Sequence, residues 1–302
     1  VSTGPATVAP TVPELAPEMD PRPMSGIVDD LVAEQAAVDV LLDPLTEEQW
    51  DAPAATCAWT LKEELLHIAA FDWAATRLLV AAGEGDTSTD VTALADANFG
   101  HDDQHRVTRF SHLPGAEVLD RWRELRSRLV TALLDADPKA RVPWAPGLPM
   151  AARSLASARH MELWAHSVDL TDALGRAPIT SDRIASTLFL SWQARPNAYR
   201  INDLELPATP VRLELTMPSG APWAKGEPDA ADVVRGAALD WALVATRRRR
   251  WQDTGLEVVG DEARRYADVV QSFAGAAAQA SAASALAPVA STPPRPSTPS
   301  AR

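Results

Sequence analysis

The stretch Arg153–Gly175, RSLASARHMELWAHSVDLTDALG, decides how the chain is read. It holds no proline, and its only glycine stands last, where a helix C-cap favours one, so it predicts a helix over residues 153–174. Glu162 and His166 are four residues apart and project from one face, one turn apart; Asp169 extends the same polar stripe. Leu155, Met161, Leu163, Leu170 and Leu174 cover much of the remaining surface, which predicts a largely buried helix. A buried carboxylate and imidazole need a partner, because an uncompensated charge is costly away from water. In this relation they suit a divalent metal.

Outward from that helix the apolar periodicity predicts three more. Gly26–Leu42 carries Ile27, Leu31, Val38, Leu41 and Leu42 at helical spacing. Thr60-Leu61-Lys62-Glu63 reads as a capping box that opens a helix running to about Ala82 and stopping at Gly83. Pro114–Leu134 is amphipathic, with Val118, Leu119, Trp122, Leu125, Leu129, Leu133 and Leu134 as its apolar set and Arg121, Arg123, Arg126 and Arg128 on its outer face. Thr46–Trp50 reads as a short helical turn, Pro53–Trp59 and Asp137–Pro149 as loops, and Asp90–Val107 as a helical pattern broken near Gly100. Long helices at 26–42, 60–82, 114–134 and 153–174, with short to medium connections, predict a four-helix bundle, an architecture that builds metal sites between facing helices.

Past Gly175 the pattern changes. Ser181–Ala194 predicts another helix. Val211–Met217 alternates apolar and polar residues, Pro218-Ser219-Gly220 is a turn, and Ala221–Lys225 is the returning strand. Asp232–Arg235 and Leu256–Val259 predict two further strands, Ala237–Arg250 an apolar helix ending in four arginines, and Asp261–Phe273 a last helix. The chain therefore reads as α+β, mainly α. Residues 1–24 are a disordered Pro/Ala-rich tail, 25–178 the bundle, 179–275 a small α/β domain, and 276–302 a disordered Ala/Ser/Pro tail.

Composition narrows the function. The 302 residues are 46% hydrophobic, enough for one large or two modest cores. A net charge of −13 excludes the basic footprint of a nucleic-acid or anionic-membrane binder and points to a small-molecule partner. No apolar run is read as approaching the roughly 20 residues of a membrane span, and the N-terminus lacks the charged start and apolar core of a signal peptide. The single cysteine, Cys57, rules out an intrachain disulfide framework and fits a cytoplasmic location; a lone cysteine is commonly a small buried hydrophobe.

Within the second long helix His67 lies among apolar residues and supplies a third donor to Glu162 and His166. Two imidazoles and one carboxylate leave coordination positions open, as a catalytic metal requires. A buried hydrogen-bonded network without metal is the alternative. Asp169 is placed to orient His166. His101 and His105 stand in a polar, solvated segment, His112 in a loop, and His160 faces away from the ligand stripe.

Trp59-Thr60 followed by His67, and then Arg159, Met161-Glu162, Trp164, His166, Asp169 and Ala173-Leu174-Gly175, resemble the DinB-like superfamily, and more closely the mycothiol-dependent maleylpyruvate isomerase family. The resemblance spans roughly residues 25–275, including Arg195-Pro196, Tyr199-Arg200 and the late arginines; Ala58 stands where the family usually has glycine. It implies a DinB-like bundle that holds a divalent metal, most commonly Zn²⁺, through His67, Glu162 and His166. It further implies mycothiol as the thiol cofactor, an arginine matching Arg247 or Arg248 that assists catalysis by orienting an anion, and thiol or substrate contacts from Arg195, Tyr199 and Arg200. The activity it implies is isomerisation or thiol transfer on a small anionic substrate, with a homodimer among the expected assemblies. A thiol-independent metal hydrolase or lyase, or a non-enzymatic metal-binding protein, remain the alternatives.

Overall fold

The computed structural model describes residues 22–54, 59–86, 88, 90–91, 93–94, 109–145 and 148–278. Residues 1–21 and 279–302 of the two expected tails, Cys57, Ala58, His101, His105 and most of the expected 90–107 helix lie outside the described residues, and Met24, expected in the first tail, opens a helix.

Four long helices form the bundle: α1 (Met24–Leu42), α3 (Leu61–Gly83), α4 (Gly115–Asp135) and α5 (Ala152–Ala173), with a single turn, α2 (Glu47–Trp50), after α1. Helix α1 packs on α4 and α5, and α3 packs on α4 and α5, closing the ring. The start of α3 and the end of α5 have local causes. The Thr60 N–H donates to Glu63 Oε2 at 2.9 Å and the Glu63 N–H to Thr60 Oγ1 at 3.2 Å, the reciprocal bonds of a capping box. Helix α5 stops at Gly175, whose φ of 61° suits glycine; the Arg176 N–H then reaches the Thr171 carbonyl at 2.8 Å. By length and composition α3 is apolar enough to cross a membrane, contrary to the sequence expectation, yet it buries Glu63, Glu64 and Asp72 inside the bundle.

The expected loop 137–149 instead contains a hairpin, β1 (Arg141–Ala145) against β2 (Leu148–Ala151), that feeds directly into α5. Pro143 and Pro149 mask these strands in the sequence, but a two-stranded ribbon has only edges, and edges tolerate proline.

Beyond α5 come α6 (Ala185–Gln193) and a separate short helix, α7 (Arg195–Ile201), that the sequence pattern does not predict. The four expected strands are present as β3 (Val211–Thr216), β4 (Pro222–Lys225), β5 (Asp232–Ala237) and β6 (Glu257–Val259), in the order β4-β3-β5-β6. The β3–β5 pair is parallel and its outer neighbours are antiparallel. Helices α8 (Ala238–Ala245) and α9 (Asp261–Val269) pack on this sheet. Helix α8 is shorter than expected. The chain turns at Arg247, whose φ of 63° is left-handed, and the Arg248 N–H closes back on the Leu243 carbonyl at 2.9 Å. The arginine run therefore folds back instead of continuing the helix.

Two apolar cores result, and α5 is the wall between them. Leu155, Ala156, Leu163 and Leu170 enter the bundle core, whereas Met161, Trp164, Ala165 and Val168 enter the core under the sheet. This explains a helix apolar nearly all round. At 3.6 residues per turn, Glu162, His166 and Asp169 fall along one seam between the two faces.

Candidate metal centre

Helix α3 contributes His67 and α5 contributes Glu162 and His166; one donor atom from each lies within 4.8 Å of the others. The His166 Nε2 is 3.6 Å from Glu162 Oε2, and the two imidazole rings have centroids 4.9 Å apart. Trp59 and Phe71 stack on His67 at 4.9 and 4.8 Å, walling one side. Glu162 keeps 26% of its side chain exposed, so the triad opens there.

Behind His166 the site is dry. Its Nδ1 lies 2.5 Å from Glu64 Oε2 and 3.6 Å from Asp169 Oδ2, and both acids are 1% exposed. Asp169 in turn receives Arg248 through Nε at 3.2 Å and Nη2 at 2.6 Å. One turn on, Arg249 Nη2 donates to both oxygens of Asp172 at 2.8–2.9 Å. These pairs bind the folded-back arginines of the sheet domain to α5. Below the triad, Arg159 pairs with buried Asp72 at 2.9 Å, and Trp122 Nε1 donates to the same carboxylate at 3.2 Å.

The electrostatics follow from burial and neighbours. Burial, reinforced by the charge on His166, pushes His67 down to about 3 and keeps it neutral. Burial also disfavours a charged His166, but the Glu64 carboxylate and the bonds to Glu162 and Glu64 outweigh it and raise the group to about 9. Burial opposes charge on Glu162, yet His166, Arg159 and His67 together bring it down to about 2. The donor set fits a divalent ion. It offers a neutral imidazole whose buried Nδ1 has no partner among the described residues, an ionised carboxylate, and a second imidazole already held by a carboxylate.

Residues 31–171 match the family model described as the mycothiol maleylpyruvate isomerase N-terminal domain. Two uncharacterized proteins from two strains of Mycobacterium tuberculosis are each 35% identical over 256 residues, covering 85% of this chain and 97% of theirs. The chain belongs to the DinB-like, mycothiol-dependent maleylpyruvate isomerase family. Its fold matches the crystal structure of the mycothiol-dependent maleylpyruvate isomerase with a TM-score of 0.59 at 16% identity, over 78% of this chain and 93% of that one. A single-site mutant of that enzyme matches with a TM-score of 0.56 at 15% identity, over 74% and 88%.

The other family-implied residues are dispersed. Arg248 is at the site, but all three of its nitrogens are engaged, by Asp169 and by the Thr246 carbonyl. Arg247 turns the other way and donates to the carbonyls of Asp268 and Ala278, where it lines a separate cleft of about 340 Å³ with Arg249, Arg250 and Asp268. Arg195 and Tyr199 both bond Glu262, 5% exposed, and so join α7 to α9 inside the sheet domain. Arg200 is on the surface, bonded to Asn197 at 2.6 Å. His160 is fully buried on the opposite side of α5, and His112 is exposed in a turn.

Glu64 is the neighbour that the sequence pattern does not disclose. It reads as the third member of a polar first turn, Lys62-Glu63-Glu64. The one available signal was its place three residues before His67, on the same side of the helix.

Proposed function

We propose that this protein is a metal-dependent enzyme that uses a low-molecular-weight thiol, mycothiol, for isomerisation or thiol transfer on a small anionic substrate. The observation that carries this reading is the triad His67, Glu162 and His166, closed by carboxylates behind and open on the Glu162 side. In this reading those three residues hold the ion, most plausibly Zn²⁺ for a nitrogen-and-carboxylate donor set. When bound, such an ion lowers the pKa of a thiol so that thiolate is present at neutral pH.

The chain's own residues prepare that chemistry. Neutral His67 presents a lone pair instead of a proton. The Trp59 and Phe71 rings flank His67. Asp169 and Arg248 neutralise each other beside His166, so neither repels nor captures an incoming charge. Orientation of an anion by Arg248 requires that pair to open.

The experiment is metal analysis of wild type and His166→Ala, with turnover of maleylpyruvate measured with and without mycothiol. Metal bound only by wild type, and turnover only with the thiol, support the proposal; equal metal content in the two proteins overturns the site. The second reading is a thiol-independent metal hydrolase or lyase. Metal-dependent turnover in the absence of any thiol would select it.

A further inference from the structure

His166 belongs to two triads that could each hold an ion. The outer one is His67, Glu162 and His166; the inner one is Glu64, His166 and Asp169. Two donors about 2.0–2.2 Å from one tetrahedral ion stand about 3.3–3.6 Å apart. The His166 Nε2 to Glu162 Oε2 separation, 3.6 Å, meets that condition. The His166 Nδ1 to Glu64 Oε2 separation, 2.5 Å, is too short for co-ligands and places the two atoms in direct hydrogen-bond contact.

Charge argues the same way. Both oxygens of Asp169 are already bonded by Arg248, so an ion in the inner triad would sit against a guanidinium. The inner acids are 1% exposed, which leaves an ion there no exchangeable face, whereas the outer triad is open along Glu162.

We propose that Glu64 is a positioning residue for the metal centre: it accepts the Nδ1–H of His166 and so turns Nε2 toward Glu162 and His67. This rests on the metal-binding reading above. Helix α3 then has a double role. It supplies one ligand, His67, and, one turn earlier, the carboxylate that fixes the tautomer and ring angle of the ligand on α5. Asp169, clamped by Arg248, supports the same ring edge without bonding it, being 3.6 Å away.

The test uses full-length protein and zinc, with affinity read by competition against a chromophoric chelator and imidazole nitrogens read by ¹H–¹⁵N NMR. Wild type takes up one zinc with His166 protonated at Nδ1 and metal-bound at Nε2. Glu64→Gln keeps the volume, loses the carboxylate and binds zinc about 10- to 100-fold more weakly at the same stoichiometry. Wild-type affinity in Glu64→Gln with unchanged His166 signals overturns the proposal. So does zinc on Nδ1 of His166 in wild type, a readout that needs no variant. Complete loss of zinc in Glu64→Ala and Asp169→Ala with retention in His67→Ala also overturns it, by making Glu64 a ligand. A wild type that binds no zinc overturns the metal reading itself, and this proposal with it.

Discussion

Replacing Arg248 with methionine should destabilise the protein far more than the same change at its neighbour Arg250. Arg248 is 13% exposed and Asp169 is 1% exposed, so the variant leaves a carboxylate buried without its cation. One-sided loss of a buried pair costs about 3–5 kcal/mol. The upper half of that range is expected, because Arg248 also feels the charges of Glu64 and Glu162, and its loss leaves three carboxylates gathered round one imidazole. At about 2–4 °C per kcal/mol for a folded unit of this size, the melting temperature should fall by about 8–20 °C. Arg250 pairs with Asp253 at 2.7 Å but is 53% exposed, and its methionine variant should leave stability nearly unchanged, because solvent screens such a pair.

The assay is urea denaturation of metal-free protein at pH 7, followed by tryptophan fluorescence and circular dichroism. The double variant Arg248→Met/Asp169→Asn removes both charges and should recover at least about 2 kcal/mol of the loss, since the stranded carboxylate dominates the cost. Arg248→Met within about 1 kcal/mol of wild type would refute the reasoning, as would a double variant no more stable than the single one.

Three further outcomes are expected. Arg159→Met strands Asp72, a partner only 4% exposed, and should cost about 3–5 kcal/mol, whereas Trp122→Phe removes one neutral donor to the same carboxylate and should cost about 1 kcal/mol; equal losses in urea denaturation would contradict the assignment. Gly115→Ala places a Cβ 2.2 Å from the buried Trp50 ring and should destabilise by about 1–3 kcal/mol, despite alanine's better helix propensity, and a stabilised variant would show that the ring has room to move. Asp39 is held below its ordinary 3.8 chiefly by its bonds from Arg123, with Arg126 adding to them against burial; its contribution is therefore complete above pH 3.8 and disappears as pH falls through the lower folded value. Asp39→Asn should cost about 1–3 kcal/mol at pH 7 and progressively less as pH falls below 3.8, and a gap that does not narrow in denaturation curves at acid pH would assign the loss to packing.

What the sequence discloses here depends on how local the cause is. The Thr60 cap, the Gly175 stop and the four long helices arise from residues within a turn of one another, so their pattern is visible in one dimension. Glu64 is hidden because three polar residues in a first turn look alike. In space Lys62 pairs with Asp51 at 2.8 Å, Glu63 caps its own helix, and only Glu64 crosses to α5. The arginine run is hidden for a different reason. A left-handed turn is expected at glycine, and here it is adopted by Arg247, so periodicity alone carries the helix through it.

The left-handed turn also links the fold to the site. A helix apolar on nearly every face can be buried only between two cores, and such a helix has two seams where the cores fail to meet. Polar residues are tolerated there if each finds a partner. Along the seam of α5 the partners come from three places: α3 gives Glu64 and His67, α5 gives Glu162 and Asp169, and the folded-back run after α8 gives Arg248. The bundle alone would leave Asp169 without the Arg248 guanidinium. The pairing around His166 is therefore a product of both cores, and a truncation ending near Gly175 should lose the Arg248–Asp169 pair even if its four helices still assemble.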